Sequence, residues 1–359
     1  MEDIGKLALG VIWDGAMVRA TDIRSSRPMA AQLLQGKTPA QVLHIVPLLF
    51  SVCGRAQGAA AQAALQAAQR QPWPEEAAQA ERTIRCEAMQ EHLWRMMLDW
   101  PRLLGTGPRE QRFAAWHALL REVAAGRIGM EVFRSEFERD GLGMPTAAWR
   151  GMTSYPELRT WWRTADSLVA QLLSALDESD NSANGEIRLL PPWTADEAQQ
   201  ACAGRWDAAF SARPHWQGAA AEAGAWTYYS ADPMLHEAWR GSGSKVLARL
   251  LARVIDVVEM AGGRGAPRLD AASPAPGEGV AVVRTARGLL MHHVQLAAEK
   301  VASYAIVAPT EWNFHPSGAF AQDMRGLVAN DRERLRRSAQ LSALSLDPCV
   351  AYEIEVLDA

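Results

Sequence analysis

Two short cysteine boxes at opposite ends of the chain constrain its fold more than any other feature: Ser51-Val52-Cys53-Gly54-Arg55-Ala56 and Leu346-Asp347-Pro348-Cys349-Val350-Ala351-Tyr352. Each looks like half of a four-thiolate metal site whose second cysteine has gone. The pattern suggests a protein that keeps the architecture of a metalloenzyme and part of its cluster pocket while giving up turnover. Spacing alone does not join boxes nearly 300 residues apart, and a single cysteine is more often an inert packing residue than a ligand. Cys53-Gly54 stands at a helix entrance, where backbone N–H groups and the dipole lower a thiol pKa and favour the metal-binding thiolate. Cys349 is similar in kind, whereas Cys86 and Cys202 sit inside helical patterns as core or surface residues.

A chain of 359 residues with 48% hydrophobic and 22% charged residues can bury a large core, and neither disorder nor a fibrous repeat is favoured. Its net charge of −4 and dispersed basic residues give no footprint for nucleic acid, and Arg332 to Arg337 reads as the solvated face of a helix. No long uncharged apolar stretch exists, and Glu2, Asp3 and Lys6 stand where a secretion signal would begin. The expectation is a cytoplasmic protein with no membrane partner and unpaired cysteines.

Along the chain, residues 4–24 read as a hairpin turning at Asp14-Gly15. Thr38, Pro39 and Gln41 supply an N-cap, a proline in the first turn and a capping-box partner for the run Val42 to Phe50. A helix of alanine and glutamine at about 56–69 reads as buried between neighbours, and Trp73-Pro74-Glu75-Glu76 starts another that runs to about Leu98. Helices are predicted near 109–125, 129–138, 156–177, 194–201, 243–260, 320–329 and 331–343, strands at 280–284, 289–296 and 301–307, and loops near 177–186 and 262–279. Trp161-Trp162 suggests a partner surface.

Between the cysteine boxes stands Arg284-Thr285-Ala286-Arg287-Gly288-Leu289-Leu290-Met291-His292-His293, followed by Ala308-Pro309-Thr310-Glu311-Trp312-Asn313. An arginine beside a glycine at a hairpin corner can offer its guanidinium and a backbone N–H to an anion. Adjacent histidines on a strand point to opposite faces, so at most one of them faces a site.

Taken in order, these boxes resemble the large subunit of nickel–iron hydrogenases. That family's R-x-C-G-x-C-x-x-x-H is similar to the stretch from Ser51 to Ala60, its E-x-P-R-G-x-L-x-H to Arg284 through His292, its V-P-T/S-T-W-N to Ala308 through Asn313, and its D-P-C-x-x-C-x-x-H to Asp347 through Glu355. The resemblance implies an α+β, mainly helical fold in one domain over 1–359, a central long-helix bundle with small antiparallel sheet elements, and convergence of Cys53, Cys349 and Arg287. It also implies that Arg287 and Thr310 hydrogen-bond the two cyanides of the family's iron, that Leu290, Ala308 and Pro309 wall its carbon monoxide, and that Cys53 and Cys349 supply metal-binding thiolates.

The departures say more. Ala56 and Tyr352 replace the cysteines that bridge nickel to iron, Ala60 and Glu355 replace the two box histidines, and Ile4 stands where the family has an acidic residue on the proposed proton exit. Alanine has no donor atom and tyrosine is a hard ligand, so four soft sulfurs for nickel are not available. The chain ends four residues after Glu355, without the cleavable tail of enzyme precursors. This combination resembles hydrogenase maturation proteins of the HupK/HoxV type. It implies a non-enzymatic scaffold for a transient Fe(CN)2(CO) fragment without nickel, with the hydrogenase large-subunit precursor and the general iron-delivery maturation proteins as partners. A metal-free assembly chaperone and a redox thiol protein are the alternatives, and Tyr352 or Glu355 as an oxygen ligand stays open.

Overall fold

The computed structural model describes residues 5–26, 30–50, 52–71, 77–177 and 188–359. Ile4, the helix start at Trp73–Glu76 and nearly all of the 177–186 loop lie outside the described residues.

Leu7–Trp13 (β1) and Val18–Ser25 (β2) form the expected antiparallel hairpin, Leu7 opposite Ser25. The Asp14 carboxylate accepts from the N–H groups of Ala16 and Met17 at 3.0 and 2.8 Å, which closes the turn. On the other side of β1 lies a strand for which the sequence reading makes no provision. This is Tyr352–Asp358, here called β7; it runs parallel to β1 and places Tyr352 opposite Leu7. The two ends of the chain are therefore hydrogen-bonded to one another.

The second sheet is antiparallel, with Leu269–Ala272 (β3), Glu278–Thr285 (β4), Gly288–Ala297 (β5) and Lys300–Val307 (β6) in that order. β3 lies inside the predicted 262–279 loop. It pairs only four residues at a sheet edge, too short a run to stand out among glycines and prolines. The alanine-rich helix Gly54–Ala68 packs on β4 and β5 through Ala56, Ala60, Ala61, Ala63, Ala64 and Ala68. Small side chains are needed there because the backbones nearly touch. A Cβ on Gly279 of β4 would stand 1.9 Å from the Ala64 carbonyl oxygen and 2.7 Å from the Ala68 nitrogen.

The largest core surrounds the helix Lys245–Ala261, which is buried along almost its whole length against Ala77–Trp94, Leu168–Asp177 and Arg332–Leu346. The predicted helix to Leu98 instead passes at Arg95–Asp99 through a π-helical turn before continuing as Trp100–Leu104. The predicted 156–177 helix is two, Tyr155–Thr164 and Leu168–Asp177, because Ala165 leaves the helical region at ψ 132°. Trp161 and Trp162 are 5% and 1% exposed, so they pack the interior and offer no partner surface. The class is α+β and mainly helical, as the resemblance implies. Among the described residues no helix is long and apolar enough to cross a membrane.

Gly279→Ala should destabilise the protein by about 1–3 kcal/mol, since neither backbone can yield without disturbing sheet or helix. Urea denaturation measures this, and an unchanged midpoint would contradict the close approach.

Candidate metal centre

Four separate segments deliver the residues singled out by the motifs. Cys53 is the N-cap residue of the alanine-rich helix and makes no side-chain cap of its own. In its place Glu87, from the Ala77–Trp94 helix, accepts the Arg55 and Ala56 N–H groups at 3.0 and 2.8 Å. Arg287 forms the β4–β5 corner with Ala286. The following Gly288 adopts φ 126° and approaches Gly224 so closely that a Cβ would lie 2.7 Å from its nitrogen. Thr310 sits in the short helix Pro309–Asn313 that follows β6. Cys349 follows Asp347, which ends the Arg332–Leu346 helix in the left-handed region at φ 55°. Asn313 fixes this geometry: its amide donates to the Ala223 and Leu346 carbonyls at 2.8 and 3.2 Å and accepts the Ala223 N–H at 2.8 Å.

The structure brings these residues together. The Thr310 hydroxyl donates to Cys349 Sγ at 3.2 Å and accepts the Cys349 N–H at 3.3 Å. Cys53 and Cys349 are near enough for the charge of one to raise the pKa of the other, and the Arg287 guanidinium feels both. Leu290 and Ala308 share one apolar cluster with Ala56, Ala60, Ile84 and Val283, and Pro309 is buried beside Ala308. Ala56 and Ala60 are therefore part of that apolar cluster. Tyr352 is half-buried in the electrostatic neighbourhood of Arg95, Asp99 and Asp347, and Glu355 is exposed on β7 opposite Gly10.

Two details differ from the sequence reading. The backbone N–H of Arg287 is already donated to the Thr285 hydroxyl at 3.2 Å, so only the guanidinium is on offer. The Cys53 thiol is pushed up, not down. Burial is the main cause, the Glu91 and Cys349 charges add to it, and the helix N–H groups that would help a thiolate belong to Glu87.

Around the thiols lies a buried charge network that the motifs do not announce. Arg287 donates to Glu91 at 2.5 Å, and its Nε lies 3.3 Å from Asp347 Oδ1. The same Asp347 oxygen accepts from Arg95 at 2.6 Å, and Arg253 approaches the other oxygen at 3.8 Å. Burial opposes ionisation of Asp347, but Arg287, Arg95 and Arg253 overcome it and hold the carboxyl well below its ordinary range. Burial pushes Glu91 up to about 8 in spite of Arg287, with Glu87 and Asp347 adding to the rise. Burial also takes Arg253 down to about 10, against the pull of Asp347. Glu91 Oε1, Arg253 Nε, Arg287 Nε and Asp347 Oδ2 are buried without a hydrogen-bond partner.

The adjacent histidines do face opposite ways. His292 meets Gln57 and Tyr304 on the thiol side of the sheet, whereas His293 bonds Glu278 at 2.8 Å and stacks on Trp206. Among the described residues no three His, Cys, Asp or Glu side chains form a metal-binding group by themselves.

The nickel-dependent hydrogenase family model matches residues 240–354, the stretch that carries Arg287, Thr310 and Cys349. Solved structures of nickel–iron–selenium hydrogenases share the fold. That from D. vulgaris Hildenborough has a TM-score of 0.61 at 15% identity, covering 94% of this chain and 95% of its own. That from Desulfomicrobium baculatum has a TM-score of 0.62 at 13% identity, with the same coverage. Curated relatives narrow the class. The hydrogenase expression/formation protein HoxV of Cupriavidus necator is 32% identical over 94% of this chain and 93% of its own length. HupK of Azotobacter vinelandii is 32% identical over 99% of both chains, and HupK of Rhizobium leguminosarum bv. viciae is 30% identical over 99% and 97%. The chain belongs to the HoxV/HupK family of hydrogenase expression/formation proteins.

Two expected outcomes follow from the buried charges. Asp347→Ala leaves the buried guanidiniums of Arg253 and Arg287 and the part-buried one of Arg95 short of their shared carboxylate and should cost about 3–5 kcal/mol in urea denaturation. Folded Glu91 keeps its proton to about pH 8, whereas the unfolded carboxyl releases it near 4.5. Between those limits the folded state binds more protons, so this group's contribution to stability falls as pH rises. Relative to Glu91→Gln, the wild type should lose stability across that window, and parallel pH curves would mean that Glu91 is ionised in the fold.

Proposed function

We propose that this protein is a non-catalytic scaffold of hydrogenase formation. It takes the dicyano-carbonyl iron fragment, Fe(CN)2(CO), as cargo in the cytoplasm, from or alongside the general iron-delivery maturation proteins. It holds the fragment without nickel and passes it to the hydrogenase large-subunit precursor. The observation that carries this reading is the meeting of two thiols, one hydroxyl and one braced guanidinium against an apolar wall.

The division of the pocket suits such a cargo. Cyanides are charged acceptors that need donors, which Arg287 and the Thr310 hydroxyl can provide once that hydroxyl turns from the Cys349 sulfur. Carbon monoxide is a poor acceptor that tolerates Leu290, Ala308 and Pro309. Cys53 and Cys349 would supply two thiolates, while the methyls of Ala56 and Ala60 occupy the apolar cluster and offer nickel no donor. Fewer metal–sulfur bonds suit a carrier that must release what it holds. One feature favours a metal-free chaperone instead: burial pushes the Cys53 thiol up, away from the metal-binding thiolate.

Infrared spectra of protein purified without oxygen from cells with the full maturation machinery should show cyanide and carbonyl stretching bands that vanish in Cys53→Ala. A silent wild-type spectrum would leave the chaperone reading.

A further inference from the structure

We infer that Gln57, His292 and Tyr304 form a positioning relay that holds an amide N–H on the Cys53 sulfur. The contacts are continuous: the Tyr304 hydroxyl lies 2.8 Å from His292 Nδ1, His292 Nε2 lies 2.8 Å from Gln57 Oε1, and Gln57 Nε2 lies 3.9 Å from Cys53 Sγ. The fold explains the alignment. Gln57 stands one helical turn beyond Cys53, and His292 and Tyr304 share the face of β5 and β6 that the alanine-rich helix covers.

Chemistry fixes the direction of every bond in the relay. With the amide nitrogen of Gln57 turned to the sulfur, its carbonyl oxygen faces His292 and can only accept, so His292 Nε2 carries a proton. Burial drives the His292 pKa down to about 3, which leaves the ring neutral and its Nδ1 bare. That nitrogen accepts from the Tyr304 hydroxyl. Three donors thus point the same way, toward Cys53, and bonds aligned in series polarise one another. His292 and Gln57 are fully buried, so this order is shielded from competing water.

A neutral filler of the core would not need this polarity. The relay places an N–H donor on the Cys53 sulfur, where it stabilises negative charge. On a metal-bound thiolate the same N–H withdraws electron density from sulfur, and hence from iron. That second consequence rests on the cargo reading above, while the first stands without it.

Two variants test the relay: the near-isosteric Gln57→Met and, at its far end, Tyr304→Phe. In metal-free protein, iodoacetamide labelling of Cys53, followed by peptide mass spectrometry with Cys349 as internal reference, should slow in Gln57→Met and slow less in Tyr304→Phe. Loosened packing would speed labelling instead, so unchanged or faster labelling in both variants overturns the relay. In iron-loaded protein the carbonyl band should move to lower wavenumber in the same order, because a sulfur without its donor gives more density to iron. A silent wild-type spectrum with slowed labelling supports the relay and removes the cargo reading. Bands present at the same frequencies in all three proteins overturn the relay and leave that reading intact.

Discussion

The carboxylate of Asp347 is the point on which the interior depends. It ends one helix in a left-handed conformation, precedes Pro348 and Cys349, and is approached by guanidiniums from three other places: the π-helical turn at Arg95, the buried helix at Arg253 and the β4–β5 corner at Arg287. None of these cations could be buried there unaccompanied. The arrangement therefore ties the position of Cys349 to the position of Arg287, and Glu91 ties Arg287 to the helix whose Glu87 caps the turn after Cys53. Charge compensation registers the two cysteine boxes, with no covalent link between them.

The helix Lys245–Ala261, which supplies Arg253, carries further polar groups at turn spacing. Lys245 and Arg249 pair with Asp323, Arg249 also with Glu222, and Asp256 with His92, Arg268 and Tyr229. A buried stripe of this kind is weak as a source of stability but exacting in geometry, since each member loses its partner if the helix rotates or slides. The Arg253 beside Asp347 is thus held in place by the residues one turn before and after it.

How much of this could be read beforehand depended on how local each signal was. The Asp14-Gly15 turn, the Thr38 and Gln41 capping box and strands β4 to β6 are written in neighbouring residues, and the structure contains them. Arg287, Thr310 and the cysteines were visible because they stand in short motifs. Glu87 and Glu91 were not, because two acids four apart on a helix look like a solvated face until the partner segments arrive. Arg253 had a faint mark, one of three basic residues at a spacing of four in a helix whose other charged residues are Asp256 and Glu259. The π-helical turn at Arg95 has no proline or glycine within it. The reversed shift of Cys53 comes first from its burial by segments distant in the sequence and next from the Glu91 and Cys349 charges, none of which a local rule contains.

The end of the chain completes the argument about what the pocket can hold. Tyr352 to Asp358 alternates polar and apolar residues, the pattern of a strand with one covered face, and it is spent on the edge of β1. In that register Glu355 is exposed, and Tyr352 is half-buried within the electrostatic reach of Arg95, Asp99 and Asp347. Seven parallel ladder positions hold that segment in the sheet, while Cys349, just before it, meets the Thr310 hydroxyl of the preceding box.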